Sequence, residues 1–577
     1  METPVFIPTT QDEIHQLGWK GLDVVIVSGD TYMDSSYIGA AVIGRVLLEA
    51  GYRVGIIAQP DTKTDKDIAR LGEPELFWGV TSGSVDSMVA NYTALGKRRK
   101  SDDLTPGGLN IGRPDRAVIV YTNLIRRYFK QTAPIVLGGI EASLRRISHY
   151  DAWSDSVRRS ILVDSKADIL VYGMAERTII ELTEKLKHKE SIESVRGICY
   201  LSKQAPEPSH HFQGPDIQLP DHEVVVNNNN ELAGMFSTFY KNADPITGKR
   251  LYQRQDTRYL VQNPPQFPLS TEELDKIYEM PFNRQVHPFY SKDGHVKALD
   301  TIRFSLTTHR GCYGECRFCA ITVHQGRFVT SRSKASVLKE AASFKANPDF
   351  KGVISDVGGP TANMYGFECE IKKIKGACID KGCLFPKPCK HLPVNHSRQI
   401  RLLKALQNLD GIRKVFVGSG IRYDLILKDR QFGEPYLEEL IRNHISGQLK
   451  IAPEHVQEHI LNLMGKPGSD CLEAFLALFD RLNRKNHKKI FLTYYLMAAH
   501  PGCTLADMRK LREFAIKTLR LLPEQVQIFT PSPSTFSTLM YFTGKNPFTS
   551  RNIFVEKKTT GKQKQKELIT GGCRPRA

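Results

Sequence analysis

Arg303-Phe-Ser-Leu306-Thr-Thr-His-Arg310-Gly-Cys312-Tyr-Gly-Glu-Cys316-Arg-Phe-Cys319-Ala320 is the stretch on which the reading of this 577-residue chain turns. Residues 303–306 read as a strand, and three cysteines at C-x3-C-x2-C fall in the loop just past it. A structural zinc site wants four ligands in a closed tetrahedron, and a ferredoxin-type [4Fe–4S] cluster likewise takes four thiolates. Three thiolates on a cubane leave one iron without a protein ligand, open to a substrate or cofactor. Gly311 and Gly314 let the backbone curl around such a group, and Arg310 and Arg317 offset its negative charge. The alternative is a zinc site completed by His309 or His324.

Working outward, strand-like runs recur at 303–306, 352–355, 414–417, 448–451, 490–496 and 525–529, with helical segments such as 472–482 and 505–521 between them. Six βα units predict a partial parallel barrel over residues 301–530, whose chemistry belongs at the C-terminal strand ends. The unusual residues do follow the strands: Ser355-Asp-Val-Gly358-Gly359-Pro360-Thr361 after the second, and Gly418-Ser419-Gly420-Ile421-Arg422-Tyr423-Asp424 after the third.

Upstream, residues 1–205 predict a separate α/β domain with a doubly wound open parallel sheet. Expected strands are 23–27, 53–57, 117–121, 134–137 and 168–172, with a Gly- and Ala-rich helix at 38–50; doubly apolar strands between helices imply a sheet covered on both faces. Ligands of such sheets sit beyond the carboxyl ends of the strands, which here are the loops 28–34, 138–141 and 173–176. No GxGxxG follows the first strand, so a dinucleotide fingerprint is absent. Residues 206–300, punctuated by Pro264, Pro265, Pro268, Pro281 and Pro288, read as an extended bridge with little structure of its own. Residues 531–577 form a basic extension; its last 27 residues, from Arg551, hold eight Lys or Arg and two Glu, and a solvated, disordered end is the expectation.

Lys plus Arg number 80 against 62 Asp plus Glu, a net charge of +18, which is compatible with an anionic partner such as nucleic acid. Hydrophobic residues at 41% and charged residues at 25% exclude wholesale disorder. No run reaches the ~18 apolar residues of a membrane span, and the opening residues lack the basic and apolar regions of a secretory signal. The expectation is a cytoplasmic protein without a membrane partner. Eleven cysteines, an odd and uneven set, do not describe a secreted disulfide scaffold.

C-x3-C-x-Φ-C, with Phe318 as the aromatic, resembles the radical SAM signature. The resemblance implies a [4Fe–4S] cluster on Cys312, Cys316 and Cys319, with S-adenosylmethionine (SAM) bound through its amino and carboxylate groups at the open iron and cleaved to a 5′-deoxyadenosyl radical. It also implies a one-electron reductant such as flavodoxin or ferredoxin. Gly358 and Gly359 are similar to the superfamily's GGE element, which meets the methionine amino group, although Pro360 stands where Glu is usual. Ser419 and Arg422 resemble positions that contact the methionyl carboxylate. Over nearly the whole chain, segments such as Gly138-Gly-Ile-Glu-Ala-Ser-Leu-Arg-Arg146, Lys450-Ile-Ala-Pro-Glu-His455 and Tyr495-Leu-Met-Ala-Ala-His-Pro-Gly502 resemble the YgiQ-type family of radical SAM proteins with unassigned reaction and substrate.

An open sheet ahead of a radical SAM barrel also resembles cobalamin-dependent members of the superfamily. The chain has Asp30-Thr-Tyr-Met-Asp34 where their DxHxxG lower-ligand motif would stand, so a cobalamin here would be held without a protein ligand. A second cysteine group, Cys369, Cys378, Cys383 and Cys389, lies in an insertion at 363–397. It reads either as ligands of a second metal or auxiliary cluster, or as inert thiols. The rival functional readings are a tRNA- or rRNA-modifying enzyme, a cobalamin-dependent alkyl-transfer enzyme, and a non-enzymatic metal-binding protein.

Overall fold

The computed structural model describes residues 4–378, 381–523 and 526–571. The chain divides into two compact units, the first comprising Met1–Leu269 with Lys276–Arg303 and the second Ser270–Asp275 with Phe304–Ala577. Among the described residues no helix is long and apolar enough to cross a membrane.

The first unit is built on one nine-stranded sheet. Its strands are β1 (Val24–Ser28), β2 (Val54–Ala58), β3 (Phe77–Thr81), β4 (Ile135–Gly138), β5 (Ile169–Val171), β6 (Ile198–Ser202), β7 (Ile217–Gln218), β8 (Leu251–Gln255) and β9 (Arg258–Gln262). The spatial order is β2-β1-β3-β4-β5-β6-β9-β8-β7. The first five strands are mutually parallel, as the doubly apolar runs predict, and β1 and β2 are buried at every position. From β6 onward the pairing turns antiparallel, except where β7 lies parallel to β8.

Three expectations differ from this structure. Residues 117–121 are not a strand but the start of a helix, Ala117–Tyr128, whose buried Ala117, Val118, Tyr121, Thr122, Leu124 and Ile125 follow a helical stripe. The β-branched Val118-Ile-Val120 suggests a strand only when the window stops at Tyr121; extended to Ile125, the period is that of a helix. The sheet position belongs instead to β3, where Gly79 interrupts an otherwise aromatic and β-branched run.

Residues 206–300, expected to be a bridge with little structure, hold β7, β8 and β9 and the helix Asn229–Lys241. Their prolines flank the strands rather than dissolve them. Beyond β9 the chain folds back over the first unit, where the Tyr290 hydroxyl accepts from Ala58 N at 2.8 Å.

The second unit holds the six expected strand positions: β10 (Ser305–Thr307), a second strand split at Ser355 into β11 (Val353–Ile354) and β12 (Asp356–Gly358), β13 (Lys414–Val415), β14 (Gln448–Glu454), β15 (Phe491–Ala498) and β16 (Gln527–Ile528). The neighbouring segments run parallel: β10 with β12, β11 with β13, Ile421 with Ile451, β14 with β15, and β15 with β16. This is the predicted partial barrel, with its strand ends all on one rim.

The basic extension is no solvated tail. Its helix Thr559–Thr570 buries Lys562, Gln565 and Ile569; the Gln565 amide accepts from Ala499 N at 2.8 Å and donates to the Cys503 carbonyl at 3.0 Å. Lys564 is exposed, whereas Lys562 lies on the buried face and donates to the Tyr541 hydroxyl at 3.0 Å. Cys573, Arg574 and Arg576 lie outside the described residues.

Candidate functional site

The C-terminal ends of β10, β12, β14 and the turn after β13 carry the chemistry-bearing residues of the second unit. After β10 the chain passes through buried His309 into Gly311, at φ +79°, where a Cβ would run into the Phe328 carbonyl oxygen. Only glycine meets both demands, a left-handed backbone and a carbonyl in van der Waals contact. Gly311 thus launches the cysteine loop in a fixed direction.

Within that loop the Cys312 sulfur accepts from Gly314 N at 3.3 Å and lies 3.6 Å from the Thr361 hydroxyl. The Cys316 sulfur is 3.6 Å from Arg422 Nη1. A Cβ on Gly314 would sit 3.1 Å from that guanidinium, 3.2 Å from the Cys312 sulfur and 3.6 Å from the Cys316 sulfur, so the glycine occupies the hollow between thiols and cation. Burial, together with Cys316 and Cys312, pushes the Cys319 thiol up to about 12, and burial beside Cys316 also raises Cys312. Like charges crowded in a dry place favour protonated thiols until a metal takes the protons' place.

Among the described residues no group of three His, Cys, Asp or Glu is spaced to hold a single metal ion. A four-iron cubane spreads its thiolates further than one ion does. Three convergent thiols, a peptide N–H and a guanidinium directed at them are the donor set such a cluster needs.

Gly358 and Gly359 end the second strand under the same kind of constraint. A Cβ on Gly358 would stand 3.2 Å from the Ala362 Cα, and one on Gly359 would be 2.7 Å from the His309 ring and from its carbonyl oxygen. His309 Nδ1 pairs with the Thr308 hydroxyl at 2.9 Å, whereas Nε2 has no hydrogen-bond partner among the described residues. Burial holds this imidazole near 4, so it is neutral at pH 7.

Ser419 is anchored rather than free. Its hydroxyl donates to the Asp356 carboxylate, whose Oδ1 also accepts from Gly418 N at 2.8 Å and Ser419 N at 3.1 Å. Arg422 is committed too: Nε and Nη2 form a fork on Asp424 at 2.8 and 2.5 Å, leaving Nη1 toward Cys316. Burial pushes the Asp424 carboxyl upward, but Arg422 outweighs it and holds the acid ionised. Asn363 fixes the Arg422 backbone from both sides, accepting from its N–H at 2.7 Å and donating to its carbonyl at 3.0 Å. Phe318 stands edge-on to buried His500 at 6.3 Å between ring centres.

Sequence reasoning missed Glu454, at the end of β14. The strand pairing with β15 shifts register between Ile451 and Glu454, and Glu454 adopts φ +68°, a left-handed conformation that non-glycine residues seldom hold. Bulges of this kind redirect a side chain. Glu454 is 7% exposed. Burial raises its pKa against the pull of Lys466 and Arg422, and its charge in turn acts on Cys319. The signal lay in Lys450-Ile-Ala-Pro-Glu-His455: an acid after proline, at the end of a barrel strand.

In the first unit the loop 28–34, one of three expected on the ligand rim, is held by other groups of the chain. Asp30, fully buried, pairs with Arg113 at 2.5 Å and accepts from Ser84 N at 2.6 Å. A Cβ on Gly29 would strike the Ser82 carbonyl, and one on Gly83 the Asp30 carboxylate. Gln59 ties the β2 end to the loop above by donating to the Gly29 carbonyl at 3.0 Å and the Thr105 hydroxyl at 2.7 Å. These groups tie together the loops after β1, β2 and β3 at the switch point of the sheet.

The family models match in three consecutive parts: Radical SAM N-terminal over residues 6–305, Radical SAM superfamily over 306–515, and a domain of unknown function (DUF3362) over 524–570. UPF0313 protein FN0734 of Fusobacterium nucleatum is 55% identical, with 98% of each chain covered. The UPF0313 protein of Thermotoga maritima is 49% identical over 98% of each chain. Among solved structures, the radical S-adenosylmethionine methyltransferase TsrM of Kitasatospora setae matches at 15% identity and a TM-score of 0.49, covering 88% of this chain and 76% of that one. OxsB, a cobalamin-dependent S-adenosylmethionine radical enzyme, matches at 12% identity and a TM-score of 0.48, covering 92% and 57%. With a relative more than half identical from end to end and the superfamily model lying over the cysteine loop, the chain belongs to the UPF0313 family of radical SAM proteins.

Proposed function

We propose that the second unit is a radical SAM catalytic domain that holds a [4Fe–4S] cluster on Cys312, Cys316 and Cys319 and SAM on the remaining iron. The observation that carries this reading is the grouping of the three thiols, with Cys312 and Cys316 beside the Arg422 guanidinium and Cys319 near enough to both to feel their charge. Bound together, cluster and SAM supply one-electron cleavage of the sulfonium and hydrogen-atom abstraction by the resulting 5′-deoxyadenosyl radical.

The chain's own residues do the rest. Arg422 sets positive charge against the thiolates, and Asp424 keeps that guanidinium oriented. Gly358 and Gly359 bring bare backbone to the rim, where peptide groups can meet the methionine moiety. With Ser419 held by Asp356 and two arms of Arg422 held by Asp424, these residues support the rim more than they offer free forks to a carboxylate. Phe318 against His500 lines the site with apolar surface, which excludes water from a reactive radical.

A corrinoid on the first unit rests on resemblance of fold. The +18 charge favours an anionic substrate, for which steeply salt-dependent RNA binding is the check.

The direct test is anaerobic reconstitution followed by dithionite and SAM. Formation of 5′-deoxyadenosine, lost together with the cluster on changing the three cysteines to Ala, is the expected result. An intact cluster that yields none refutes the reading.

A further inference from the structure

The insertion between β12 and β13 carries thiols that the proposed SAM chemistry does not use. From Met364 to Val394 the described residues form one short helix, Glu370–Lys375, and no strand. Yet Leu384 and Leu392 are 1% and 4% exposed. A segment so poor in backbone ladders keeps a core only when something else ties it together.

Its core is Met364, Phe367, Leu384 and Leu392 with Tyr313, Val329 and Leu425 from outside the insertion, and against it pack Cys369, Cys383, Cys389 and Cys312. Cys389 N donates to the Cys383 carbonyl at 2.8 Å, and Cys369 N donates to the Tyr313 hydroxyl at 3.1 Å. Cys369 and Cys383 lie near enough to act electrostatically on each other and on the Tyr313 phenol. All four insertion cysteines are free thiols, with Cys378 at the surface. The charge around them is positive: six lysines and three acids fall between residues 368 and 390. One of the six, Lys372, is 3% exposed, donates to the Arg327 carbonyl at 2.8 Å and faces Cys383. A buried ammonium beside clustered thiols suits a centre that is negative once the thiolates form.

Cys369, Cys383 and Cys389 pack against one core, and Cys378 stands at the surface of the same insertion. We propose that Cys369, Cys378, Cys383 and Cys389 hold a second iron–sulfur cluster. Four thiolates satisfy every iron of a cubane, so this centre, unlike the first, has no corner for a ligand. It would knit the insertion and carry an electron rather than bind substrate.

The proposal stands apart from the SAM chemistry and is tested by metal content in the full chain. After anaerobic reconstitution the wild type should hold about eight iron atoms, and Cys312→Ala/Cys316→Ala/Cys319→Ala should keep about four with a thiolate-to-iron absorption band. Cys369→Ser/Cys383→Ser/Cys389→Ser should fall to about four and still cleave SAM. If that variant does not fold, surface Cys378→Ser serves instead, and should change the electron paramagnetic resonance signal remaining in the first-loop triple variant. A folded first-loop variant without iron overturns the proposal, as does one zinc per wild-type chain that the insertion variant loses. A first-loop variant that keeps all the wild-type iron refutes the reading of Cys312, Cys316 and Cys319 and leaves the second centre standing.

Discussion

Gly311→Ala is the substitution whose consequence follows most directly from the geometry. At φ +79° an alanine costs about 1 kcal/mol relative to glycine for the left-handed backbone alone. The Phe328 carbonyl oxygen then lies within the volume the methyl group needs. Because that oxygen belongs to backbone, the cysteine loop itself has to move, at a further cost of about 1–3 kcal/mol. The total expected is about 2–4 kcal/mol.

Gly544→Ala isolates the first contribution. Gly544 has φ +66° and no atom within 4 Å of where an alanine methyl would stand, so it should lose only about 1 kcal/mol and keep its iron. Urea unfolding of the apo proteins and iron content after reconstitution read both effects. Gly311→Ala should lose more than half the iron bound through Cys312, Cys316 and Cys319. If it unfolds no earlier than Gly544→Ala and takes up full iron, the loop is not aimed by that contact.

Other outcomes follow from the same structure. Arg422→Met leaves buried Asp424 uncompensated and should destabilise by about 3–5 kcal/mol, most of it recovered in Arg422→Met/Asp424→Leu; two additive losses would show that the pair is not coupled. Glu454→Gln in cluster-loaded protein should weaken SAM binding in equilibrium dialysis roughly tenfold to a hundredfold, the scale of a hydrogen bond to a charged group, and unchanged affinity removes Glu454 from the site. Burial holds His309 and His455 near 4 and His500 near 3, against about 6.5 unfolded. Between those values the unfolded chain binds the protons first. The stability these groups contribute is therefore complete above pH 6.5 and is lost as pH falls through 4 and then 3. Urea midpoints that stay level between pH 7 and pH 5 would contradict that burial.

Local pattern carried much of this protein. The doubly apolar β1 and β2 announce a covered parallel sheet because their residues must be buried on both faces. The six barrel strands are legible as short apolar runs between helical segments, although β15 is exposed or half-buried over its first five residues, and the cysteine spacing is a covalent fact that needs no fold to be read. Where local and long-range preferences disagreed, the pattern misled. Ala117–Tyr128 is β-branched at its start but helical in period over its whole length. The proline-rich 206–300 segment gains strands only because an existing sheet edge offers partners, and the helix Thr559–Thr570 is ordered by what Lys562, Gln565 and Ile569 bury.

The site divides along the same line. Cys312, Cys316 and Cys319 were plain in the chain, whereas the engagement of Ser419 by Asp356 and of Arg422 by Asp424 depends on which strand ends meet. Glu454 was hidden because its importance lies in a bulge and a left-handed φ, which arise from strand pairing rather than from residue type. Donor chemistry is a property of side chains and so is written in sequence. Direction, burial and charge partnership belong to groups distant along the chain, and only folding brings those together.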